Sequence, residues 1–145
     1  MIGFSQTLGY AVQILACLDC KRPRQTDDLV LQLTVPRAYL RKIVNHLALE
    51  GLVMTQRGRK GGVMLSRPAE SISLLQLVKA IEGSNWISPC LLSMDTCNAL
   101  RYCPLKDFWS DIRKTLESRL RTTSLKEVIS TRSGLGTSAS EVDTA

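Results

Sequence analysis

Histidine occurs once in these 145 residues. With His46 alone, general acid–base or Ser-His chemistry has no candidate constellation, and no hydrolase or transferase site is visible. Long apolar runs are missing too: none reaches the ~20 residues needed to span a bilayer. The N-terminus lacks a basic start followed by an apolar core and a cleavage site. These absences point to a cytoplasmic protein with no membrane partner, and to a binder rather than an enzyme. Acids are scarce in one region. Residues 21–67 hold ten Lys or Arg against three Asp or Glu, within a chain of net charge +6. An excess concentrated in one third of the chain is the electrostatic footprint of a nucleic-acid surface, although a solvated basic face has the same composition.

What is present is ordinary in bulk: 44% hydrophobic and 22% charged residues, enough for one domain with a proper core. The five cysteines are an odd number, and in a reducing compartment they favour metal or redox chemistry over a disulfide framework. Three of them, Cys90, Cys97 and Cys103, crowd one loop. Soft thiolates at such spacing suit zinc, copper(I) or an iron–sulfur cluster, and leave one coordination position open.

Apolar periodicity predicts a first helix over residues 5–20, with Leu8, Ala11, Val12, Leu15 and Leu18 on one side. Cys17 and Cys20 form a C-x-x-C on it. Without a preceding strand, they read as two residues on neighbouring turns, not a thiol oxidoreductase site. Thr26 is the expected N-cap of a short helix, with Asp27 and Asp28 in its first turn. Pro36 then suits the first position of a second helix ending at Gly51. Two helices joined so tightly form a helix-turn-helix. On the second, Leu40, Ile43, Val44 and Leu47 make the buried stripe, while Arg37, Ala38, Arg41, Lys42 and Asn45 point away. Arg and Lys can read guanine, and Asn adenine, in a major groove. His46 lies beside the stripe and reads as partly packed.

Residues 52–57 and 63–66 predict two strands around the Gly-rich tip Gly58-Arg-Lys-Gly-Gly62. Directly after a helix-turn-helix this hairpin is a wing, presenting Arg57, Arg59 and Lys60 to a phosphate backbone or narrow minor groove. A phosphate-loop reading fails, because no Lys-Ser/Thr follows and no helix begins there. Ser73 and Gln76 form a capping box for a helix stopped by Gly83. A long helix over about 105–121 carries Leu105, Phe108, Trp109, Ile112, Leu116 and Leu120, too apolar to stand alone. It should pack on the first helix and on its own copy in a second subunit. Thr123 or Ser124 caps a short last helix to about 130. The expected organisation is a winged helix-turn-helix domain at 1–83, a cysteine loop at 84–104, dimerisation and last helices at 105–130, and a disordered tail at 131–145. The fold class is mostly α with a two-stranded wing.

Tyr10-Ala11, Val35-Pro-Arg-Ala-Tyr-Leu40, Arg57-Gly-Arg-Lys-Gly-Gly62, Lys79-Ala-Ile-Glu-Gly83 and Cys103-Pro-Leu-Lys-Asp-Phe-Trp109 occur in this order with the three cysteines. In that combination the chain resembles the Rrf-two family of bacterial winged-helix regulators over about residues 4–130, with the wing and reading helix nearest the NsrR-like group. The resemblance implies a homodimeric regulator, a repressor, binding a palindromic double-stranded operator. It implies a [2Fe-2S] or [4Fe-4S] cluster on Cys90, Cys97 and Cys103, sensing nitric oxide, redox or iron status. It places Arg37, Tyr39, Arg41 and Lys42 at the major groove and its phosphates. The pattern departs at three points: Lys106 stands where IscR-like members carry histidine, Gly9 where NsrR-like members carry aspartate, and the six-residue gap between Cys90 and Cys97 is slightly long. Asp95, Asp107, Gln6, Gln13, a thiol or an exogenous molecule remain as fourth ligand. The alternative is the same module as a cluster-free thiol switch or zinc-binding regulator.

Overall fold

The computed structural model describes residues 3–94 and 102–133. Six helices and one antiparallel hairpin make up these residues: α1 (Gln6–Ala16), α2 (Thr26–Leu33), α3 (Arg37–Leu49), β1 (Val53–Gln56), β2 (Gly62–Leu65), α4 (Leu74–Glu82), α5 (Lys106–Thr122) and α6 (Leu125–Ser133), with a 3-10 turn at Ala69–Ser71. The fold is mostly α, a winged helix-turn-helix with a long C-terminal helix. β1 pairs β2 in the register Val53 with Leu65 through Gln56 with Gly62.

One core holds the elements together. Ile14 and Leu15 of α1, Leu29 of α2, Leu40 and Leu47 of α3 and Leu77 and Val78 of α4 are all fully buried. Each buried aliphatic side chain of this size stabilises by about 1.5–3 kcal/mol. The wing joins this core through Val53, Val63 and Leu65.

α1 ends earlier than its apolar period suggests. Cys17 is its C-cap, and Leu18, though 9% exposed, is buried from a loop rather than from a helix. The loop wins because it finds partners on the wing. Leu65 N–H donates to Asp19 O (2.9 Å), Arg24 and Val63 exchange two backbone hydrogen bonds of 2.8 Å, and Arg24 Nη1 donates to Cys17 O (3.1 Å). Cys17 and Cys20 therefore do not sit on neighbouring turns: one closes the helix and the other lies in the loop beyond it.

Two caps also differ from expectation. Gln25, not Thr26, is the N-cap of α2, its side chain turned away to donate to Arg59 O at the wing tip (2.6 Å). Pro36 is the N-cap of α3 rather than its first residue. The Ser73–Gln76 capping box is present, and a second, Ser124 with Glu127, opens α6. Those two helix starts pair: Leu74 N–H donates to Thr123 O and Leu125 N–H to Ile72 O, both at 2.8 Å.

α5 lies along α4, its main partner within the chain, in place of the α1 packing anticipated from its apolar stripe. Trp109 and Leu120 are buried, whereas Phe108 is 56% and Ile112 38% exposed. α6 continues to Ser133, past the expected boundary at 130. The expected tail otherwise falls on 134–145, outside the described residues.

Candidate nucleic-acid interface and thiol site

The turn between α2 and α3 is tight because Thr34 adopts the left-handed conformation (φ 53°, ψ 32°), an uncommon state for a β-branched residue. It sends Val35 into the core, at 2% exposure, and lets α3 start at once. Arg37, Ala38, Arg41, Lys42 and Asn45 are all exposed on the outer face of α3. Arg37 Nη1 lies 2.9 Å from Asp27 Oδ1 of α2; with both side chains more than half exposed, this pair orients the guanidinium and adds little stability.

Tyr39 differs from these five. It is half-buried, its hydroxyl shares a hydrogen bond with Thr7 Oγ1 (2.5 Å), and the Tyr10 ring meets it edge-on at 5.6 Å. It joins α3 to α1. Two turns further along, His46 Nε2 is hydrogen-bonded to Ala80 O of α4. Glu82 Oε1, at the end of α4, accepts from both N–H and Oγ of Ser5, the N-cap of α1 (2.8 and 2.5 Å).

The wing tip is a turn closed by Gly61 N–H donating to Gly58 O (3.0 Å), with Arg59 and Lys60 at its two central positions. Arg57, Arg59 and Lys60 are all exposed. Glycine is needed at two of these positions for a measurable reason. A Cβ on Gly61 would meet Gln56 O at 2.1 Å, and one on Gly62, at φ +144°, would meet Arg24 O at 2.2 Å.

Two of the loop cysteines meet one cavity at the start of α5. Cys90 and Cys103 are half-buried and wall one cavity of about 30 Å³ with Leu91, Leu92, Leu105, Lys106 and Trp109. Ser88 organises the approach: its Oγ donates to Cys90 O (2.8 Å), and its carbonyl accepts from Trp109 Nε1 (3.0 Å). Cys97 and Asp95 lie outside the described residues. Among the described residues, no group of three or more His, Cys, Asp or Glu is placed to hold a metal ion. Of the other ligand candidates, Gln6 Nε2 donates to Tyr10 OH (3.2 Å). The chemistry of the two thiols fits a sulfur-ligated group in sheltered, apolar surroundings. The cavity is water-sized, so a larger group requires its walls to part. Cys17 and Cys20 stand apart from this cavity. Burial pushes the Cys17 thiol up, with the Arg24 guanidinium opposing, which disfavours a reactive thiolate.

Residues 4–131 match the Rrf2 family, described as iron-dependent transcriptional regulators. The chain belongs to the Rrf2 family. An HTH-type transcriptional regulator of Aquifex aeolicus is 25% identical over 130 residues, covering 87% of this chain and 90% of the relative. YffB, an HTH-type regulator of Lactococcus lactis, is 30% identical over 132 residues, covering 87% and 83%. In fold, this Rrf2 chain is similar to CymR, the global cysteine regulator of B. subtilis (TM-score 0.72, 22% identity, 90% of this chain and 98% of CymR). It is also similar to IscR of T. potens (TM-score 0.71, 21% identity, 94% and 93%). Rrf2 proteins are DNA-binding transcription regulators, so this chain is a regulator and not an enzyme. None of its described helices is long and apolar enough to cross a membrane.

The ties that hold α3, from Tyr39 to Thr7 and from His46 to Ala80, left no local signal in the sequence. Each joins residues more than thirty positions apart, the first between two side chains and the second from a side chain to a backbone carbonyl, and no period or cap encodes that.

Proposed function

We propose that this Rrf2 protein is a homodimeric repressor whose grip on a palindromic operator is set by an iron–sulfur cluster, [2Fe-2S] or [4Fe-4S], on Cys90, Cys97 and Cys103. The observation that carries the reading is the shared cavity: the two ends of the cysteine loop bring Cys90 and Cys103 to one wall, beside Trp109. When bound, such a group supplies an iron open to nitric oxide, oxygen or a small thiol, and so reports nitric-oxide, redox or iron status. Lys106 shares that wall, putting an ammonium, which does not ligate while protonated, where IscR-like members carry histidine.

The chain's own part is mechanical. Cys103 O accepts from Lys106 N–H (3.1 Å) at the very start of α5, and Ser88 ties the Cys90 segment to Trp109. α5 lies on α4, and α4 is tied to α3 through His46. A displaced thiol segment therefore has a continuous packed route to the reading helix. Arg37, Ala38, Arg41, Lys42 and Asn45 meet the major groove, with Tyr39 at its edge, while Arg57, Arg59 and Lys60 meet phosphates or the minor groove. Two copies are needed to read two half-sites about one DNA turn apart. Exposed Phe108 and Ile112 on α5, and an apolar groove of about 320 Å³ lined by Phe4, Trp86, Trp109 and Ile112, support a second copy as their cover.

The small thiol cavity favours one competing reading, the same module as a cluster-free thiol switch or zinc-binding regulator. Iron and acid-labile sulfide in protein purified without oxygen separate the two. Iron and sulfide in the wild type, lost in Cys97→Ala, is the expected result. Zinc alone, or no metal after anaerobic reconstitution, overturns the cluster.

A further inference from the structure

α3 is sealed to the core on one face, but its flank toward α1 and α4 is open. A groove of about 360 Å³ runs along it, lined by Thr7, Tyr39, Lys42, Asn45, His46 and Ile81, among others. Two hydrogen bonds cross this flank, Tyr39 to Thr7 and His46 to Ala80. Residues 39 and 46 are seven positions apart, so they share a helix face and lie ~10 Å apart along the axis. A helix held along an open flank by two such ties can pivot about either one when the other is lost.

The second tie has a physical cause on both sides. Carbonyls in the last turn of a helix have no amide four residues on to accept from. In α4, Gly83 N–H takes Lys79 O, and the next carbonyl, Ala80 O, is taken by the His46 ring. A carbonyl only accepts, so Nε2 carries the proton and donates. His46 is itself exposed along this groove, and Ala80 is 5% exposed with the ring in place. On its other side α4 carries α5, with Lys79 Nζ 4.0 Å from Glu117 Oε1.

We propose that His46 is a positioning residue for operator recognition: its Nε2–H, held by the Ala80 carbonyl at the end of α4, fixes the tilt of α3 so that Arg41, Lys42 and Asn45 reach base edges in register. This rests on the reading role given to α3 above, and is independent of what the thiols hold. Base readout needs register, whereas phosphate attraction does not. Loss of the tie should therefore lower specific binding and spare non-specific binding.

The test compares full-length wild type, His46→Ala and His46→Gln, each checked for unchanged circular dichroism and dimer content. The probes are a duplex enriched from a random pool by the wild type and a scrambled duplex of equal length; enrichment is itself the separate test of the reading role. The expected result is about tenfold weaker binding of His46→Ala to the enriched duplex, the scale of one net hydrogen bond. Its affinity for the scrambled duplex and its salt slope should stay unchanged, and His46→Gln, whose amide still donates, should recover most of the loss. Equal losses on both duplexes, no loss on the enriched duplex, or a Gln variant as weak as the Ala variant would each overturn the proposal.

Discussion

Replacing Gly62 with alanine asks what moors the wing. The new Cβ would sit 2.2 Å from Arg24 O and 2.5 Å from Arg24 C, both backbone atoms that no rotamer change can move aside. The paired hydrogen bonds between Arg24 and Val63, each 2.8 Å, must open for the strand to withdraw. Each costs ~0.5–1.5 kcal/mol when lost. Holding a non-glycine residue at this positive φ adds ~1–3 kcal/mol. Together the loss is about 2–6 kcal/mol, a large share of the ~5–15 kcal/mol that stabilises a typical domain. Gly61→Ala is the matched control for sterics: its Cβ meets Gln56 O at 2.1 Å with no left-handed φ involved. Urea unfolding reads the stability, and the salt dependence of duplex binding reads the wing. A freed tip no longer presents Arg57, Arg59 and Lys60 together, so the slope against log salt should flatten by about one to three charges. A Gly62→Ala protein within ~0.5 kcal/mol of the wild type, with an unchanged slope, would refute the mooring.

Gly9→Ala should do the opposite. Gly9 lies inside α1, and a methyl group added there would meet nothing within 4 Å, so the gain in helix propensity, ~0.5–1 kcal/mol, should raise the thermal midpoint. Trp109→Phe removes the bond to Ser88 O; a loss of ~0.5–1.5 kcal/mol and faster alkylation of Cys103 by iodoacetamide are expected. Two carboxylates bonded to α6 or its cap sit below the ordinary glutamate value of 4.5: Glu70 through the hydrogen bond from Lys126, and Glu127 through the hydrogen bonds from Ser124, its N–H first. Folding lowers both, so their contribution is present above 4.5 and is lost as pH falls through the lower folded values; Ser124→Ala should shrink the acid-induced loss of stability.

Most of the chain's architecture is legible in the sequence because it is local. The capping box at Ser73, the stripe of α3 and the Gly-rich wing tip each announce themselves within a few residues, and the structure has them. Spacing picks out the three loop cysteines; Cys90 and Cys103 line one cavity, while Cys97 falls outside the described residues. What the sequence hides is long-range. Leu18 continues the period of α1, yet the Arg24–Val63 pairing draws residues 17–24 off the helix and onto the wing. Tyr39 has the position of a reader, but Thr7 holds its hydroxyl. Glu82 has the position of an ordinary helix-end acid, but it accepts from the N–H and Oγ of Ser5, the N-cap of α1.

Coupling between the thiol site and the reading helices is tested most directly by following both on one anaerobic sample. Protein with its iron and sulfide measured is titrated with nitric oxide while absorbance and the anisotropy of a labelled enriched duplex are recorded together. A single shared transition is predicted, with colour and specific DNA affinity changing over the same range. Affinity that stays constant while the colour is lost would contradict it.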